Sequence, residues 1–157
     1  MRGLNIFEDG CHVVNMMPPK NGTGGYSSDI MSMAKHRWLN AVVSIGVSAA
    51  APTKILVNAC SSNAGAGRVA IPFDIYPEET DSGDTFGPRQ AVTAAGYTPS
   101  ANNNIMYGIF LDAAALPDDK PWVEIQITNG TNAVEVSGIA VLTGARYHGS
   151  ADGQSVL

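Results

Sequence analysis

A chain of 157 residues has room for one domain with a real hydrophobic core and is short for two. With 45% hydrophobic and 15% charged residues, 17 Gly and 9 Pro, it is poor in charge and rich in turn formers, which favours strands joined by turns over a helical fold. A net charge of -5 without any cluster of Lys and Arg keeps a large assembly soluble and argues against nucleic acid as a partner.

Residues 1–27 read as an extended N-terminal arm. The start turns acidic at Glu8 and Asp9, where a secretion signal needs an apolar run, and no apolar run approaches the roughly 20 residues of a membrane span. The protein is therefore expected to stay in the cytosol that makes it. Pro18 and Pro19 lead into Lys20-Asn21-Gly22-Thr23-Gly24-Gly25, too rich in Pro and Gly for regular structure at its centre. Termini often fray, but Ile6, Phe7, Val13, Val14, Met16 and Met17 are apolar and would be buried if the arm docked on a neighbouring subunit.

Residues 28–149 read as the β domain, and 150–157 as a short polar tail. Leu39, Ala41, Val43, Ile45 and Val47 fall at every second position, the pattern of a half-buried strand. The same phase returns in Ile55, Val57 and Ala59, and in Val69, Ile71, Phe73 and Ile75; Pro72 donates no ladder hydrogen bond, so this third run is an edge strand or carries a bulge. Ile30 to Lys35 has the makings of a short helix. Glu78 to Pro88 is an acidic loop, and Ala91 to Pro99 holds at most one short strand ending near Gly96. Ile105 to Leu111 is apolar in both phases, as in a strand covered on both faces, and Asp112 is placed to cap one helical turn through Leu116 before Pro117 stops it. Val123, Ile125 and Ile127 make a further strand, and Asn129-Gly130 predicts a hairpin to the strand that follows. In that strand Val134 and Val136 share one phase while Ile139, Val141, Thr143, Ala145 and Tyr147 take the other, which predicts a bulge at Ser137-Gly138. Seven or so short strands without long helices between them predict an all-β fold, a two-sheet antiparallel β-sandwich of jelly-roll type.

No catalytic pattern emerges. Cys11 and Cys60 lack the spacing of a zinc or disulfide framework and read as reduced thiols. His12, His36 and His148 have no metal-ligand spacing, and no nucleophile elbow, P-loop or dinucleotide fingerprint occurs. No enzyme and no cofactor is expected, although a triad drawn from distant positions leaves no motif. Glu78, Glu79, Asp81 and Asp84 would offer oxygen ligands to calcium, but their spacing is not that of an EF-hand and solvated loop charge is the plainer reading. The Asn21-Gly22-Thr23 and Asn129-Gly130-Thr131 triplets match the glycosylation pattern but read as Gly turns in a chain without a secretion signal. Trp38, beside Arg37, and Trp122, on the polar phase of its strand, are large apolar groups placed on outer faces, as at interfaces.

A run of short features has a familiar order. It begins with Glu8-Asp9-Gly10-Cys11-His12-Val13-Val14 and a Pro-containing arm, continues with Ile71-Pro72-Phe73 before Tyr76 and Ile109-Phe110-Leu111 before Leu116, and closes with Gly144-Ala145-Arg146-Tyr147 and a tail ending Ser155-Val156-Leu157. Through these features the chain resembles small structural proteins from the head gene regions of tailed bacteriophages, in particular jelly-roll decoration or cement proteins. That resemblance implies a protein made in the bacterial cytoplasm that binds the capsid exterior, bridges major capsid subunits, and forms a homo-oligomer, most often a trimer. It implies no membrane and no nucleic-acid partner. Contact candidates are Phe7, Val13, Met16, Met17, Trp38 and Trp122. A head-to-tail or tail-associated virion protein would use the same small sandwich. A carbohydrate-binding module is the alternative of another class, with Tyr26, Trp38, Tyr97, Trp122 and Tyr147 available to stack on sugars.

Overall fold

The computed structural model describes residues 6, 10–48, 50–80, 85–130 and 132–146. Among them the strands, in chain order, are β1 (His12–Gly22), β2 (Tyr26–Ser27), β3 (Met31–Ser32), β4 (His36–Ser48), β5 (Lys54–Cys60) and β6 (Val69–Ile71). They continue as β7 (Phe73–Thr80), β8 (Gln90–Val92), β9 (Ile105–Asp112), β10 (Trp122–Thr128) and β11 (Val134–Ala145). One sheet has the order β1-β11-β4-β9-β7-β8; the other has β2-β10-β5-β6, with β3 also pairing β10. All pairings are antiparallel. β1 joins β11, β2 joins β10, β4 joins β9 and β5 joins β6. The pairs are nested, from β1 with β11 inward to the consecutive strands β5 and β6, so the chain is a long double strand rolled up on itself, the jelly-roll form of the β-sandwich.

The inward faces meet in one core. Leu39, Ala41, Val43 and Ile45 of β4 lie against Ile55, Val57 and Ala59 of β5 and Val123, Ile125 and Ile127 of β10, all buried. Each such aliphatic side chain contributes roughly 1.5–3 kcal/mol on burial. Val47 continues the alternation in sequence but is 58% exposed, because the strand there runs past the core. Pro72 separates β6 from β7 at the point where the chain leaves one sheet for the other, and β6 is an edge strand. A residue without an N–H is tolerated at such a corner. Asp112 caps a single 3-10 turn, Ala113–Ala115, its carboxylate accepting from the Ala114 N–H at 3.0 Å.

Four expectations are corrected. The stretch read as an arm is, from His12 to Gly22, an edge strand of the chain's own larger sheet, and Val14, Met16 and Met17 are buried in its own core. Pro18 and Pro19 fit because an edge strand leaves alternate N–H groups unused, and the ladder to β11 shifts register on either side of Met17. Ile30 to Lys35 is not helical: Met31–Ser32 pairs with β10, and Met31 and Met33 are buried. The hairpin after Thr128 does not form. Both sides of β10 are taken, by β5 and by β2 and β3, so β11 crosses to the other sheet and pairs with β1 and β4. Finally, β11 keeps one phase: Val134, Val136, Gly138, Ala140 and Leu142 all face inward, which leaves Ile139 pointing out. Gly138 sits in the core because Met16 occupies the space beside it; a Cβ there would lie 2.7 Å from the Met16 methyl carbon. The tail, 150–157, lies outside the described residues.

Candidate binding face

The corrected phase of β11 gives the larger sheet an apolar outer face. Residues directly opposite one another on paired strands share a face. One row across the sheet runs Val13, Val141, Asn40, Phe110 and Asp74; the next runs Ile139, Val42, Gly108 and Tyr76; a third holds Thr143, Trp38 and Asp112. Val13 is 37%, Trp38 36% and Ile139 49% exposed, while Val42, Val141, Phe110 and Tyr76 are half-buried. Two glycines flatten this surface. The Tyr76 side chain lies over Gly108, with its Cβ 3.2 Å from where a Gly108 Cβ would be, and the Trp38 ring lies 2.9 Å from the corresponding point on Gly144.

Charges frame the apolar centre. The Arg37 guanidinium stacks on Trp38 at 5.0 Å and pairs with Asp112 at 3.5 Å. Across the sheet, Arg89 stacks on Phe110 at 4.8 Å and forms an ion pair with Asp74. Cations held against aromatic faces in this way keep those rings in place. Beyond Ile139 the face falls into a groove of ≈ 360 Å³ lined by Pro19, Lys20, Ser44, Gly46, Glu135 and Ser137. That volume admits a side chain or a turn of a partner.

Of the sequence-predicted contact residues, Val13 and Trp38 are brought together on this face. Trp122 lies on the outer face of the other sheet, half-buried, and Phe7 lies outside the described residues. Met16 and Met17, 0% and 3% exposed, are committed to the core and have no surface to offer a neighbour. The sequence reading missed Ile139, Val141, Val42 and Phe110. Apolar residues in both phases of 105–111 and 134–145 were the available signal, and an outward-facing apolar row explains them without a phase change.

Two polar clusters elsewhere are tied down. On the outer face of the second sheet Glu124, 2% exposed, takes two bonds from Arg68, each 2.7 Å, and a third from Asn58 at 3.3 Å. A carboxylate so fully paired is a staple rather than a base. Burial pushes the neighbouring Cys60 thiol up, with the Glu124 charge adding to it, so it remains protonated and inert. In the loop read as acidic, Glu78 sits on β7 and accepts from Ser100 Oγ, from Asn102 Nδ2 at 2.7 Å and from Tyr107 Oη at 3.0 Å. The Ser100 bond chiefly holds its carboxyl below the ordinary range. Asp81 and Asp84 lie outside the described residues, and among the described residues no group of three or more His, Cys, Asp or Glu is placed to hold a metal ion.

Tyr107 gives this corner a pH signature. It is fully buried, and burial pushes its phenol up to about 12. The folded state thus holds the proton more tightly than the unfolded chain, whose phenol ionises near ~10. Its contribution is complete below that value and is lost as the pH rises through the folded one. Alkaline unfolding followed by circular dichroism should show a limb above pH ~10 that is shallower in Tyr107→Phe; equal slopes would show that the phenol does not contribute.

The aromatics available for stacking on sugars are dispersed. Tyr26 is buried with its hydroxyl donating to the Val134 carbonyl, Tyr97 packs on Tyr107, Trp38 and Trp122 belong to different sheets, and Tyr147 lies outside the described residues.

Fold and surface together define a jelly-roll sandwich with an apolar outer face on its larger sheet. No family model and no curated protein matches the sequence. Among solved structures, the SPBc2 prophage-derived protein YomS is similar over 83% of this chain and 92% of its own, at 18% identity and a TM-score of 0.45.

Proposed function

We propose that this chain is a non-catalytic structural protein of a tailed-phage virion, a decoration or cement protein that binds the capsid exterior and reinforces contacts between major capsid subunits. The observation that carries this reading is the exposed apolar patch of Val13, Ile139 and Trp38, one from each of three adjacent rows, on a sheet whose inner face already forms the core. A sheet of this kind normally turns polar residues to water, and an apolar outer face marks an interaction surface. Its flatness suits a broad protein surface better than a small ligand. The paired ions at its margins, Arg37 with Asp112 and Arg89 with Asp74, supply the polar rim that such interfaces carry. The resemblance to proteins of phage head gene regions supports the phage head among the possible settings. The partner in this reading is the major capsid protein, with self-association into a trimer placing several copies of the face at one symmetry site. A head-to-tail or tail-associated position would use the same face on a different ring of subunits.

The test is co-sedimentation of the purified protein with capsids that lack it, with bound copies counted and heat-induced rupture compared with and without it. Saturable binding at a symmetry-related copy number, with rupture delayed, is the expected result. Shells left bare at micromolar protein would contradict it, and selective binding on a glycan array would transfer the assignment to a carbohydrate-binding module.

A further inference from the structure

We propose that the stacked pair His12 and His36 is an acid-sensitive latch, holding the start of β1 on the sandwich at neutral pH and releasing it when the His36 ring takes up a proton. The inference concerns the chain itself and does not depend on the partner proposed above.

His36 opens β4 and is 0% exposed, yet neither of its ring nitrogens has a hydrogen-bond partner. A buried donor or acceptor left unmet is destabilising, so the position would be better filled by an apolar ring if stability were all that mattered. The imidazole stacks instead on His12, the first residue of β1, with ring centroids 6.2 Å apart and planes 22° from parallel. β11 runs between their strands, with Leu142 opposite both His12 and Leu39 and Ala145 opposite His36. The two rings thus join the edge strand to the interior of the sheet across one neighbour.

Among the described residues, the charges that act on His36 disfavour a cation there. His12 faces the ring from β1, and Lys35 precedes it in sequence, just before β4; burial first, then these two groups, hold His36 below the ordinary histidine range. Arg37, next in sequence, is engaged with Asp112 of β9, and Arg146, at the end of β11, bonds through its backbone N–H to the Lys35 carbonyl. No carboxylate is hydrogen-bonded to either ring nitrogen. Among the described residues a proton on His36 therefore meets no hydrogen-bonded counter-charge.

The first residues of β1 are the place where this strain is most easily released. β1 is an edge strand whose first residues pair in the sheet with β11, and its ladder shifts register between Val14 and Met17. Detaching His12 and Val13 frees both rings to water while Met16 and Met17 stay in the core. The sign follows from linkage: His36 binds its proton more weakly in the closed state, so closure is complete above the ordinary histidine value of ~6.5 and is lost as the pH falls below it.

Amide exchange over residues 12–15, corrected for intrinsic rates, reads the opening directly. Between pH 7.5 and 5.5 the opening constant should rise about tenfold in the natural protein, as expected for a ring protonated only when free. In His36→Phe it should change less than twofold. A natural protein unchanged within twofold, or a His36→Phe variant that opens equally, overturns the latch. Should that variant not fold, the ring-proton NMR titration of His36 decides. Titration coincident with loss of protection at residues 12–15 supports the latch, and titration near ~6.5 with β1 still protected overturns it.

Discussion

Arg68→Ala is expected to destabilise the fold by about 3 kcal/mol, more than any other single charge removal in the chain. The reason is an asymmetry within the pair. The Glu124 side chain is only 3% exposed whereas that of Arg68 is 44% exposed, so loss of the arginine leaves a buried carboxylate with Asn58 as its remaining donor. Loss of the acid, in contrast, leaves an arginine that can turn to water. Glu124→Gln should therefore cost only about 1 kcal/mol, and the double replacement Arg68→Leu with Glu124→Met should recover most of the loss, because two apolar groups need no partner. Urea denaturation of the three variants checks the order. An Arg68→Ala protein within about 0.5 kcal/mol of the natural one would mean that water reaches the Glu124 carboxylate and that the pair is an ordinary surface bridge.

Gly25→Ala is expected to cost about 3 kcal/mol, from strain in an unfavourable backbone region together with a steric clash. Gly25 turns the chain from β1 in one sheet to β2 in the other with φ at +85°, and a Cβ there would lie 2.7 Å from the Ile127 carbonyl oxygen and 3.3 Å from the Asn129 nitrogen. Those neighbours are backbone atoms of β10 and the turn beyond it, and they cannot swing aside as a side chain would. Gly24, with a similar φ of +86° but nothing within 4 Å, serves as the control and should show the conformational penalty alone, about 1 kcal/mol. Equal losses at the two positions would mean that the corner relaxes and that close approach to β10 is not required.

The fold class was legible because the strongest alternations, 39–45, 55–59 and 123–127, belong to strands with one face on the core, where period 2 is enforced by burial. Topology was less so. Asn129-Gly130 carries a hairpin signal, but whether a strand returns beside its predecessor depends on whether that edge is already taken. β2 and β3, two residues each, occupy it, and segments so short leave almost no periodicity to read. The N-terminal strand was hidden by Pro18 and Pro19, whose usual meaning as strand breakers is suspended at an edge. Part of the candidate face was visible in Val13 and Trp38. The rest was obscured because Ile139 and Val141, apolar in the phase opposite to Val134 and Val136, look like a bulge when an apolar residue is assumed to face the core. Gly138 in the inward series is what separates the two readings, since an inward glycine makes sense only once Met16 is known to lie beside it.

The central claim is that the outer face of the six-stranded sheet is the surface that binds the capsid. Ile139→Asp, at a position 49% exposed, puts a charge on that face beside the groove without touching the core, so the melting curve should shift by only a few degrees. In co-sedimentation with capsids lacking the protein, its apparent affinity should fall at least ~100-fold, the loss of a buried interface anchor. Binding within twofold of the natural protein would place the contact surface elsewhere on the molecule.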